Sequence, residues 1–234
     1  MKSVMKKYKH KFEMVRLLLK KENPTIVEIG SHYGEDSLRF LETFPECTIY
    51  CFEPDPRNIK IFNKHIKDRR VKLFELALSS QKGIANFYQS YQPSTSVPEK
   101  YDWISEADYE ELMLNNSGSS SLKRGYKHNL NQTIQVNTER YDNWCEEHHI
   151  NNVDFVWVDV QGAEKSVLEG MGEKIKNIKF IWIEYGEIEY EGAINRQETI
   201  SHMHNRSFNV IEEYSNQSLT GDLLFYNNTM ETNG

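Results

Sequence analysis

Apolar and polar positions change period repeatedly along the chain, and these changes divide it into helices and strands. Val4, Tyr8, Phe12, Val15, Leu18 and Leu19 recur at helical spacing between lysines. That pattern predicts an amphipathic helix over residues 3–21 whose apolar stripe packs on the body, ended by Asn23-Pro24. Short β-rich runs at 25–29, 48–52 and 71–76 then alternate with helical stretches at 35–43 and 57–67, and Gly83 precedes an extra edge strand at 84–88. Further strands are expected at 133–137, 153–158 and 180–183, and further helices at 142–149 (capped by Asp142), 164–169 (closed by Gly170) and 197–205. Residues 208–211 and 223–226 resemble a terminal antiparallel pair.

Strands alternating with helices argue for right-handed βαβ units, hence an α/β Rossmann-like fold with a mostly parallel sheet, an antiparallel C-terminal strand and an N-terminal helix. The 153–158 run is the most hydrophobic and suits a central buried strand. Residues 90–125 break the rhythm with Pro93, Pro98 and the run from Asn115 to Ser121. A segment this long inside a compact domain is expected to be a lid or binding loop. The division that follows is a helix over 1–24 and a domain over 25–234 with 90–125 inserted.

Composition narrows the class. The 234 residues, 38% hydrophobic and 12% aromatic, suffice for one domain with a sizeable core. The net charge of −7 conceals an asymmetry: residues 1–23 carry eight Lys or Arg against Glu13 and Glu22, a net +6 that leaves −13 on the remainder. An acidic body disfavours nucleic acid as a partner, because binding there rests on cations neutralising phosphates. The basic N-terminus reads as a solvated helix face, or as a mark of a partner or of a larger glycan-modifying chain. No run approaches the length of a transmembrane segment and no signal peptide is seen, while Cys47, Cys51 and Cys145 form no disulfide framework. A cytoplasmic location is expected.

Four constellations carry chemistry. In Val27-Glu28-Ile29-Gly30-Ser31-His32-Tyr33-Gly34-Glu35, a strand turns into a helix through G-x-x-x-G. Glycines admit a ligand close to the backbone, and the helix start offers N–H groups. The spacing is not the dinucleotide G-x-G-x-x-G, and Glu28 beside the turn would repel a pyrophosphate. A carboxylate there suits a cation such as the α-amino group of a methionine moiety. In Phe52-Glu53-Pro54-Asp55-Pro56, Glu53 stands 23 residues after Gly30, the spacing of an acid that binds ribose hydroxyls; Asp55 reads as a turn residue or cap. Ala77-Leu78 would flank an adenine. In the third, Asp159 ends the central run before Gln161-Gly162, and Glu164 opens the next helix. In the fourth, Glu184 ends the neighbouring strand, so the Asp159 and Glu184 carboxylates are placed to face each other. Such a pair can hold Mg²⁺ or Mn²⁺, or accept a substrate proton. His32 is either a general base or part of the pocket wall. Cys145, His148 and His149, like His202 and His204, read as helix-surface residues.

Taken together, VEIGSHYGEDS, FEPDPRN, ALSS, NSGSSSL, VDFVWVDVQGAEKSVLEGM, FIWIEYGEIEYEG and GDLLF resemble the FkbM family of methyltransferases over about residues 25–226. The resemblance implies a class I methyltransferase fold, S-adenosylmethionine as donor, and O-methylation, often of sugars or natural products. Members commonly read E-G where Gln161-Gly162 stands and Lys where Trp157 stands, and His32-Tyr33 is unusual; the WVDVQGAE form marks a subset associated with glycan synthesis. Under this reading Glu28, Gly30, Ser31, Gly34, Glu53, Pro54, Ala77, Leu78, Ser120 and Asp159 form the donor site, with Ser119–Ser121 in a lid. Asp159 and Glu184, with or without a divalent ion, act on the acceptor hydroxyl of a sugar or other small substrate, and His32 is the reserve base. The alternatives are a nicotinamide oxidoreductase and a donor-binding module without activity.

Overall fold

A computed structural model describes residues 2–91, 102–125, 132–186, 190–215 and 219–230, with side chains from Lys11 onward. Pro93, Pro98 and the acids Glu187 and Glu189 lie outside the described residues, as do the side chains of Val4 and Tyr8.

Among the described residues ten strands and seven α-helices follow one another along the chain. Helix α1 (Lys2–Leu19) precedes β1 (Thr25–Ile29), α2 (Glu35–Thr43), β2 (Thr48–Phe52), α3 (Pro56–His65), β3 (Val71–Phe74), β4 (Ala77–Leu78) and β5 (Gly83–Gln89). After them come α4 (Glu106–Asn115), β6 (Gln132–Glu139), α5 (Tyr141–Glu147), β7 (Val153–Val158), α6 (Glu164–Gly170), β8 (Ile178–Gly186), α7 (Arg196–His204), β9 (Phe208–Ser215) and β10 (Thr220–Asn227).

The main sheet has the order β3-β2-β1-β7-β8-β10-β9. Strands β1, β2, β3, β7 and β8 pair in parallel, and β10 runs antiparallel to both β8 and β9. From β1 the chain builds outward through β2 and β3, then returns to place β7 on the other side. The carboxyl ends of β1 and β7 therefore flank a topological switch point, the place where open α/β sheets bind ligands.

Alternation along the strands covers both faces. Val156, Val158, Ile181 and Ile183 point into one core with Trp144 of α5, Val167 of α6 and Met203 of α7. Phe155, Trp157, Phe180 and Trp182 point into the other, against Phe12, Val15 and Leu19 of α1 and Phe40 of α2. The rings of Trp157 and Trp182, cross-strand neighbours, stack at 5.2 Å, and Phe12 stacks on Trp157 at 5.6 Å. Burial of Phe12 and Leu19 stabilises the docked helix by about 2 kcal/mol each.

Three local expectations are corrected. The 84–88 run does not extend the main sheet; it joins a separate three-stranded sheet, β4-β6-β5, in which it is an edge. The 90–125 insert contains a helix, α4, capped by Ser105, whose side chain accepts from the Asp108 amide. Asp142 does not cap α5: Arg140 holds that position, and the Asp142 carboxylate pairs with the Arg140 guanidinium instead. Asp55 does cap α3, accepting from the Arg57 amide at 3.0 Å with Pro56 at the first helical position.

Candidate active site

The turn after β1 is built from alternating left-handed residues: Gly30 (φ 86°), His32 (φ 50°) and Gly34 (φ 92°). At Gly30 the requirement is also steric. A Cβ there would lie 1.8 Å from the carbonyl oxygen of Asp159, because the ends of β1 and β7 meet at this point. The same tight turn directs the amides of Gly30 and Ser31 onto the Phe52 carbonyl (3.0 Å each) and the His32 amide onto Glu53.

Glu53 is buried at the end of β2, and its two oxygens are held from three sides. Oε2 accepts from the His32 amide (2.9 Å), and Oε1 from the Asp55 amide (2.8 Å) and Asn58 Nδ2 (3.1 Å). Burial raises its pKa from the ordinary 4.5 to about 7 against the counteracting pull of His32 and these hydrogen bonds. Glu28 is more deeply confined. Its carboxyl meets the Ser37 hydroxyl and the Cys51 thiol, and burial followed by the charge of Asp36 pushes its pKa well above the usual range. These acids, with Asp36 and Asp159, line one cavity of about 280 Å³. Phe52, Ala77, Leu78, Phe87 and Leu122 make its apolar wall.

The insert closes the other side. His32 joins it to the turn: its Nδ1 meets Glu35 Oε1 at 2.9 Å and its Nε2 meets Ser117 Oγ at 2.9 Å. Burial works against charge on this ring, but Glu35 and then Glu53 and Asp55 outweigh it and raise its pKa. Ser120 Oγ accepts from Arg57 (3.1 Å) and from the Ser90 amide (3.0 Å), Ser121 Oγ donates to the Gln161 carbonyl (2.6 Å), and Tyr190 donates to the Ser119 carbonyl (2.9 Å).

At the end of β7, Asp159 is half-buried and faces the cavity. The strand register sets Glu184 beside it, and the Gln161 amide bridges the two, donating to Asp159 Oδ1 (2.6 Å) and Glu184 Oε2 (2.9 Å). Burial and the neighbouring Asp159 charge hold the Glu184 carboxyl far above its usual range. Asp159 is raised by burial and pulled back by hydrogen bonds from Glu184 and Gln161.

Of the residues singled out from sequence, His32, Glu28, Gly30, Ser31, Glu53, Pro54, Ala77, Leu78, Ser120 and Asp159 all line this cavity. Gly34 and Glu184 do not. Gly34 is required elsewhere, since a Cβ there would lie 2.1 Å from Ile66 Cδ1 on the segment after α3. The expected Mg²⁺ or Mn²⁺ is not matched by the residues present. Among the described residues no group of three or more His, Cys, Asp or Glu could hold an ion, which leaves the two carboxylates of Asp159 and Glu184. The Gln161 amide also occupies the acceptor positions between Asp159 and Glu184. Gln161, Asn58, Ser117 and Arg57 were missed. Each stands in a stretch already quoted: Arg57 and Asn58 in FEPDPRN, Ser117 in NSGSSSL, and Gln161 two residues after Asp159.

A cationic nucleoside ligand fits what remains. The buried Ser31 Oγ, Glu35 Oε2 and Asn58 Oδ1 have no hydrogen-bond partner among the described residues, leaving polar valences beside an apolar wall and a cluster of carboxylates. The strand order, the switch point and this cavity define a Rossmann-like class I methyltransferase fold. Comparison with known sequences assigns the family. The Methyltransferase FkbM domain matches residues 28–216, so the chain belongs to the FkbM methyltransferases. It is similar to 2-O-methyltransferase NoeI of Sinorhizobium fredii (strain NBRC 101917 / NGR234), with 31% identity over 212 residues, 90% of this chain and 82% of that one. Methyltransferase sdnD of Sordaria araneosa is 27% identical over 164 residues, 65% of this chain and 62% of its own length. Among solved structures, precorrin-6y C5,15-methyltransferase from Geobacter metallireducens covers 92% of this chain and 86% of its own with a TM-score of 0.45 at 9% identity. The protein is an S-adenosylmethionine-dependent methyltransferase, which removes the nicotinamide alternative. No described helix is long and apolar enough to cross a membrane.

Proposed function

We propose that the enzyme methylates a hydroxyl of a sugar or glycan and that Asp159 takes up the hydroxyl proton. The observation that carries this reading is the placement of Asp159 at the switch point, lining the same cavity as Glu28 and Glu53. When bound, S-adenosylmethionine supplies a methyl group on a positively charged sulfur. Glu53 takes the ribose hydroxyls through the lone pairs that His32, Asp55 and Asn58 leave open, and Glu28 faces the amino group. Ala77, Leu78 and Phe87 enclose the adenine; Pro54 shapes the Glu53 turn. Gly30 and Ser31 bring backbone close to the donor, and Gly34 lets that turn pack on α3.

A sugar hydroxyl is a weak nucleophile, so removing its proton as it attacks lowers the barrier. A carboxylate whose proton affinity is raised by burial, beside a Glu184 carboxyl whose affinity is raised well above its usual range, suits that role. His32 is less suited, because both ring nitrogens are engaged. It serves instead as the latch of the 90–125 lid, in which Ser120 closes on the donor side. Residues 1–24 act as a helix docked on the methyltransferase domain of 25–234. The sugar acceptor is supported by the likeness to a 2-O-methyltransferase. A reducing compartment such as the cytoplasm is supported by three unpaired, buried cysteines. Incubating the enzyme with S-adenosylmethionine and a panel of nucleotide sugars, glycosides and oligosaccharides, read by mass spectrometry, tests the reading. An O-methylated glycan is expected; methylation confined to amines or thiols would overturn it.

A further inference from the structure

The basic N-terminal helix carries one residue that the donor site does not explain. Lys11 on α1 is only 4% exposed. Its ammonium group lies 2.7 Å from Asp222 Oδ2 and over the rings of Trp182 (4.8 Å), Trp157 (5.6 Å) and Tyr214 (5.7 Å). Taking an ammonium ion out of water is costly, and it is recovered only through close partners such as these.

What Lys11 touches is one end of a row. Asp222 on β10 is the register partner of Glu184 on β8, and Glu184 adjoins Asp159, to which it is bridged by Gln161. Three carboxyl groups thus stand on adjacent strands, spaced by the width of a strand pair, about 5 Å. Trp157, Trp182 and Leu224 lie two residues from them along their strands and pack in the core that α1 covers, so the row opens on the α1 face. Like charges this close favour retention of protons. A cation clamped on Asp222 sets a positive charge against that end of the row.

We propose that Lys11 is a positioning residue for the methyl transfer: clamped on Asp222, it orders the Asp222–Glu184–Gln161–Asp159 row so that Asp159 faces the cavity as a carboxylate. The link to turnover rests on the reading of Asp159 as proton acceptor; the link to the charge of Asp159 does not. Other charged groups also face Asp159. Asp36 of α2, paired with Arg39 at 2.8 Å, and Glu164 of α6 both interact with it electrostatically. Asp36 and Glu164 act against its ionisation, so the Lys11 contribution falls on a site otherwise crowded with negative charge.

Carbon-detected NMR of the carboxyl groups, with the Asp159 signal assigned by its loss in Asp159→Asn, reads this charge without turnover. Lys11→Met is expected to move the Asp159 titration up by about one pH unit. Lys11→Arg is expected to hold it near the wild-type position, and Lys11→Met combined with Asp222→Asn to bring it back. An Asp159 titration unmoved in folded Lys11→Met overturns the proposal. Where Lys11→Met fails to fold, Lys11→Gln decides: an upward movement supports the coupling and no movement overturns it. The acid limb of kcat/KM for methyl transfer is expected to follow the NMR titration. A titration that moves while that limb stays in place keeps the coupling and removes Asp159 as the proton acceptor.

Discussion

Replacing Glu53 by Gln separates what this carboxylate does for the donor from what it costs the protein. The amide keeps the shape but loses the charge. Hydrogen bonds to a charged group contribute about 1.5–3 kcal/mol each, so losing two to the ribose is expected to weaken donor binding by about 3 kcal/mol or more, on the order of a hundredfold. The empty protein responds in the opposite sense at high pH. Because the folded-state value of Glu53 is raised from 4.5 to about 7, its contribution is fully present below pH 4.5 and is lost as pH climbs through 7. That displacement corresponds to about 3 kcal/mol. Against it stands about 1–3 kcal/mol for the amide end that cannot satisfy the His32 N–H. The variant should therefore be less stable than wild type near pH 5 and equal or more stable at pH 8, a relative gain of about 2–3 kcal/mol. Urea unfolding at both pH values measures the gain, and calorimetry measures the affinity. An unchanged affinity, or a stability difference independent of pH, would refute the reasoning.

Three further expectations concern the surroundings. Gly30→Ala places a Cβ 1.8 Å from the Asp159 carbonyl in a left-handed residue; a loss of at least about 3 kcal/mol by chemical denaturation is expected, and a stable, donor-binding variant would contradict the turn geometry. Arg57→Ala removes the guanidinium that holds Ser120 Oγ and the Ser90 carbonyl, so donor affinity should fall about tenfold and the 102–125 segment should be cut faster by protease, without loss of the main sheet. Because the donor set around Asp159 and Glu184 does not suit a divalent ion, turnover is expected to be indifferent to chelators; loss on chelation and recovery with Mg²⁺ would show otherwise.

The parallel sheet was legible because its strands are short apolar runs, and their length and bounding turn residues distinguish them from the helices. Helix α4 was not, since Glu106–Asn115 has little amphipathic order and sits among prolines, serines and asparagines. The small sheet was equally hidden: its β4 strand is only Ala77-Leu78, and such a pairing depends on where the rest of the chain brings β6. At the site, Glu53 and Asp159 were readable because strand ends and a fixed spacing from Gly30 place them. At Gly34 of the same turn the structure shows a steric need as well, since a Cβ there would lie 2.1 Å from Ile66. Gln161 and Lys11 act through register and docking. The Lys11–Asp222 contact spans 211 positions, and no local pattern announces it.

Single-turnover transfer of a labelled methyl group by Asp159→Asn, with donor affinity measured on the same preparation, tests the central claim most directly. A rate at least about a hundredfold below wild type, with donor affinity within a few-fold of it, is the predicted result. Transfer at the wild-type rate would contradict the placement of the proton acceptor at the end of β7.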